Sequence, residues 1–104
     1  MNKTIKATKK IDPKLIKYLN KLLSQTKWSN DHGDLIEKFT VKFDDYPDIE
    51  ADIKICNGDG PFVDPVLFFK GQEVDVIQDP SDDICGEYIF EYEDTTFVVN
   101  IVAE

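Results

Sequence analysis

The apolar period of this chain changes once, from helical to two, and that change limits the folds open to it. In "IDPKLIKYLNKLLSQTKW" Leu15, Ile16, Leu19, Leu22 and Leu23 fall on one face of a helix, and Lys14, Lys17 and Lys21 fall on the other. Asp12 has the residue type that caps the free amides of a first turn, and Pro13 brings the fixed φ that a first helical position accepts. Ile11 and Ile16 have the spacing of a hydrophobic staple. The pattern predicts a helix from Pro13 to about Thr26.

Beyond the polar loop "WSNDHGD" the alternation is that of strands with one buried face. Phe39, Val41 and Phe43 alternate with Lys38, Thr40 and Lys42, and Ile49, Ala51, Ile53 and Ile55 alternate with Glu50, Asp52 and Lys54. "PVLFF", "EVDVI", "EYIFEY" and "TFVVNIV" follow, with "KGQ" and "EDT" short enough to close hairpins. The expected fold class is α+β: one N-terminal amphipathic helix packed on a curved antiparallel β-meander of about six strands. At 104 residues and 41% apolar content, residues 1–104 are read as a single domain, with 1–10 a basic, flexible N-terminal segment. Ile89, Val98 and Val102 have the wrong parity for the core, which leaves a second apolar face to be hidden by closure of the sheet or by a homodimer.

Charge is unevenly spread. Residues 1–27 carry eight lysines against Asp12 alone, whereas residues 28–104 carry four lysines against twenty acids, giving a net charge of −9. There is no arginine, so the planar fork used for phosphate and base recognition is missing and no nucleic acid is expected as a partner. No stretch approaches the roughly 18 apolar residues of a membrane span, so no membrane association is expected and a cytoplasmic location is the expectation. Cys56 and Cys85 are then expected as free thiols. The acidity suits a protein partner of basic character.

In an antiparallel meander successive connections alternate between two ends. The loops at 28–34, 57–64 and 79–83 fall at one of them. That end would collect Trp28, Asp31, His32 and Asp34, then Asn57, Asp59 and Asp64, then Asp79, Asp82 and Asp83 as a candidate binding rim. Its carboxylates and glycine-rich backbone suit a hard cation. However, Ile55 and Val66 stand where an EF-hand needs its first and last ligands, and His32, Cys56 and Cys85 lack the paired spacing of a zinc site. The metal is therefore left unassigned. Gly58, Gly60, Pro61 and Pro65 also make "CNGDGPFVDPV" a good stiff connection, with Phe62 and Val63 tucked inward.

No phosphate-binding glycine motif and no nucleophile elbow occurs, and no cofactor is expected. Catalysis by Cys85 with His32, or by the Asp82–Asp83 pair, is the weaker alternative. Trp28, Tyr46 and Phe62 are candidate aromatic anchors, and Phe68, Phe69, Tyr88, Phe90 and Tyr92 a candidate pocket lining. The function these features favour is a protein-interaction or regulatory module. A cation-binding or small-ligand-binding domain is the alternative.

Overall fold

The computed structural model describes residues 3–24, 34–57, 61–80 and 83–104. Its elements are β1 (Lys3–Ile11), α1 (Pro13–Leu23), β2 (Asp34–Lys42), β3 (Ile49–Asn57), β4 (Pro61–Phe69), β5 (Gln72–Val74), β6 (Val76–Gln78), β7 (Gly86–Tyr92) and β8 (Thr95–Ala103). The fold is α+β; among the described residues it has one helix and two mostly antiparallel sheets, ordered β1-β8-β7-β6 and β2-β3-β4-β5. We call these the first and second sheets.

The helix starts as its sequence dictates. Asp12 accepts a hydrogen bond from the Lys14 amide at 2.8 Å, Pro13 occupies the first turn, and the staple residues Ile11 and Ile16 are both buried. Ile16 and Leu19 enter the core, and Ser24 caps the C-terminus. The continuation to Thr26 lies outside the described residues.

The alternating strands bury the expected faces. Ile53, Ile55, Leu67, Tyr88, Phe90, Phe97, Val99 and Ile101 are fully buried, and the inward residues of both sheets form one cluster. Lys70 and Gly71, at φ 53° and 79°, turn the β4–β5 hairpin. Glu93 at φ 54° opens the turn between Tyr92 and Thr95. Both hairpins fall where "KGQ" and "EDT" place them.

Two features depart from a single curved meander. Residues 3–11, expected to lie outside the sheet, form β1, which runs parallel to β8 from Lys3 opposite Thr95 to Ile11 opposite Ala103. Ile5, Ala7, Lys9 and Ile11 share its inward line, so only two large apolar residues mark it and the rest of the segment reads as basic. The stretch "EVDVI" is not one strand but two. The chain leaves the second sheet after Val74, which pairs with Leu67, and enters the first at Val76, which pairs with Phe90. Exposed Asp75 sits at the corner while Val74 and Val76 keep facing the core, so the two-residue period survives the crossing and hides it from the sequence. Among the described residues β1 and β2 form no ladder with one another, so the strands do not close into a barrel.

Candidate functional site

Among the described residues, sequence-adjacent strands pair antiparallel within each sheet, β2-β3-β4-β5 and β6-β7-β8, but the chain crosses from one sheet to the other at Asp75 and β1 pairs parallel to β8, so the order is not one continuous meander. Asp34 and Asn57 bound strands of the second sheet, whereas Asp79 and Asp83 lie between β6 and β7 of the first. Trp28, Asp31, His32, Asp59 and Asp82 lie outside the described residues. Asp34 and Asn57 are register partners at the end of the β2–β3 ladder. Asp64 is not at the loop tip but inside β4, opposite Lys54. Asp79 and Asp83 are exposed on the connection into β7. Among the described residues no three His, Cys, Asp or Glu side chains converge in a way that could hold a metal ion.

Asp83 has a structural engagement. Its Oδ1 accepts from the Cys85 amide and from Asn20 Nδ2, each at 2.9 Å, and Asn20 Oδ1 in turn accepts from the Ile84 amide at 2.9 Å. This bridge fastens the middle of α1 to the loop ahead of β7. Ile84, fully buried, plugs the core beneath it, and its carbonyl accepts from the Tyr88 hydroxyl at 2.6 Å. Gly86, at φ 140°, completes the loop; a Cβ there would come within 2.9 Å of the Pro80 ring.

Burial holds the Tyr88 phenol above its ordinary value of 10, and Asp79, Cys85 and Asp83 add to the effect by repelling the phenolate. A raised folded value means the folded state holds this proton more tightly than the unfolded chain does. The resulting stabilisation is fully present below pH 10 and declines as the pH rises from there toward the folded value. We expect Tyr88→Phe to lower stability by about 1–3 kcal/mol at neutral pH, through the orphaned Ile84 carbonyl. It should also flatten the loss of stability above pH 10, which urea titrations across the alkaline range measure directly. A variant as steeply alkali-sensitive as the parent would show that Tyr88 is not the titrating group.

Both cysteines are free, and both thiols are raised above their ordinary value of 9.0. Burial is the main cause in each case, reinforced by Asp64 at Cys56, where Lys54 opposes it, and by Asp83 at Cys85. Neither environment generates a thiolate at neutral pH, and a nucleophile needs one.

The expected pocket lining separates. Tyr88 and Phe90 are fully buried in the core, while Phe68 faces outward and is 38% exposed. Phe69 packs on Tyr92 and Phe97, with ring centroids 5.5 and 5.7 Å apart. A cavity of about 280 Å³ lies beside Phe69 and Phe97 near the hairpin turns, with Tyr46 and Pro47 also on its wall. Lys3 Nζ lies 4.7 Å from the Tyr46 ring centroid, so this aromatic is engaged within the chain.

The outward face of the second sheet was the less legible surface. Val63 packs against the core as expected, but Phe62 points away from it and is 44% exposed. Register sets Leu35, Cys56 and Phe62 side by side across β2, β3 and β4, with Leu35 54% exposed and Cys56 buried between its neighbours. Further along β4, Phe68 stands directly between Glu50 on β3 and Glu73 on β5, both exposed. Period-two patterning marks these residues as off-core, but only the strand register reveals that two carboxylates flank one ring. No family model, curated protein or solved structure matches the chain.

Proposed function

We propose that this protein is a protein-interaction module that docks a basic partner on the outward face of its second sheet. The observation that carries the reading is Phe68 between Glu50 and Glu73. A lysine or arginine laid over the exposed ring meets the π face below it and a carboxylate on either side. The Leu35–Cys56–Phe62 row offers the same partner an apolar anchor farther along the sheet. The net charge of −9 favours encounter with a basic protein from a distance.

Affinity capture from the native host's lysate tests this when the parent is compared with Phe68→Ala and with Glu50→Gln/Glu73→Gln. A basic protein retained at low salt, released at high salt and lost with both variants is the expected result. A captured set unchanged by either variant would place the interaction elsewhere or nowhere. Because these side chains face away from the core, the variants should keep the parent's fold, which circular dichroism checks.

A further inference from the structure

The outward face of the first sheet has a different charge arrangement, one that complements itself. On β1 the residues facing away from the core are Thr4, Lys6, Thr8 and Lys10, all exposed. On β7 they are Glu87, Ile89 and Glu91, with both glutamates exposed. Between them β8 contributes Thr96, Val98, Asn100 and Val102. Val98 and its register partner Ile89 form an apolar patch outside the core cluster, and Val102 stands farther along β8 beyond Asn100. The face thus carries cations on β1, carboxylates on β7 and apolar side chains between, with the short edge strand β6 beyond β7.

We propose that this face is the interface of a homodimer, with the two-fold axis running along β8. That axis sets β8 of one copy over β8 of the other and brings the β1 flank of each opposite the β7 flank of its mate. An in-plane two-fold running across the strands instead would stack lysines on lysines and glutamates on glutamates, so charge selects between the two arrangements.

The register supports the choice in detail. Lys6 is level with Val98 and Ile89, whereas Glu91 is level with Thr96 and Glu87 with Asn100. On superposition, Lys6 of one copy falls between Glu91 and Glu87 of the other, and Lys10 falls just beyond Glu87. Cations and carboxylates interleave along the strand at steps of about 6.6 Å instead of colliding, and the lysine stem covers Ile89. Facing sheets lie about 10 Å apart, within the combined reach of a lysine and a glutamate.

The three strands that overlap about this axis, β1, β8 and β7, present a footprint of about 400 Å² per copy, and β6 lies outside it. Two copies bury about 800 Å², below the usual range for a stable specific interface, so the dimer should be weak and in concentration-dependent exchange with monomer. This assembly leaves the second sheet outside the interface and does not depend on the partner proposed above.

Sedimentation equilibrium over the micromolar range, with charge-reversed variants, tests the proposal. The parent should show a monomer–dimer equilibrium that weakens with salt. Lys6→Glu/Lys10→Glu should be monomeric, and so should Glu87→Lys/Glu91→Lys, because each homodimer then contains two like-charged flanks. Mixing these two variants should restore dimer, since every lysine flank again meets a glutamate flank. A parent that stays monomeric throughout would overturn the proposal. So would dimers that survive either reversal, or variants that fail to rescue one another while circular dichroism shows both folded.

Discussion

Phe97→Ala is expected to lower the free energy of unfolding by about 3–5 kcal/mol, a large share of the about 5–15 kcal/mol typical of a domain this size. Phe97 is fully buried on β8 in the first sheet, and its ring meets Phe43 at 6.3 Å and Phe69 at 5.7 Å. Those two residues come from the other half of the fold: Phe43 follows β2, and Phe69 ends β4. Removing the ring leaves a cavity where the two sheets meet, and the surrounding strands are held by ladders that resist collapse into it. Urea unfolding should show a lower midpoint with an unchanged slope. Thr96→Ala, one residue earlier and on the outward face, should change stability by less than about 0.5 kcal/mol. Equal effects at the two positions would contradict the assignment of faces.

The second large effect is expected at Asn20. Asn20→Ala removes the acceptor of the Ile84 amide and the donor to Asp83 together, at a cost of about 1–3 kcal/mol. Asn20→Asp separates the two roles. It keeps an acceptor for Ile84 but turns a carboxylate toward Asp83 in place of the amide donor. The like charge raises the folded pKa of the new carboxyl, so protonation favours the folded state, and stability should be lost as pH rises through the carboxylate range. At neutral pH Asn20→Asp should therefore be destabilised, recovering toward the parent near pH ~4. Thermal melts of both variants from acid to neutral pH check this, and a pH-independent loss in Asn20→Asp would mean that Asp83 does not face residue 20.

These residues also mark how far the sequence was legible. The alternation in "DIEADIKIC" located Ile49, Ala51, Ile53 and Ile55 correctly because burial on one face of a strand imprints period two on the residues themselves. The Asp12–Pro13 start of α1 was legible for a similar reason: a cap is local chemistry. β1 was not, because what makes it a strand is β8, and Lys3 pairs with a residue at position 95. The corner at Asp75 carries neither glycine nor proline, so it leaves no mark of the kind by which breaks are recognised.

The candidate site divides along the same line. Chain parity grouped the acidic connections at one end of a single meander, whereas Asp34 and Asn57 belong to the second sheet and Asp79 and Asp83 lie between two strands of the first. It could not reveal that Asp83 spends its carboxylate on Asn20 and Cys85, since both bonds depend on where the helix lies. Nor could composition distinguish Phe68, framed by Glu50 and Glu73, from the buried aromatics of neighbouring strands. Cross-strand neighbours belong to the register, and register is set by hairpins and core packing acting together.

The pairing of β1 with β8 also bears on the order of events during synthesis. The strand made first finds its partner only after β8 has been translated, and at about 5–20 residues per second the intervening chain takes about 5–20 s to appear. For that interval β1, with Ile5 and Ile11 uncovered, waits beside a growing chain whose other strands pair with near neighbours. The meander can assemble progressively as it emerges, whereas the first sheet acquires its edge in one late step. The four lysines spread along β1 give that waiting segment a charge that keeps it soluble and discourages pairing with another nascent strand. The basic character that disguises β1 as a tail in the sequence is the same property that works against mispairing of a strand whose partner is distant in the chain.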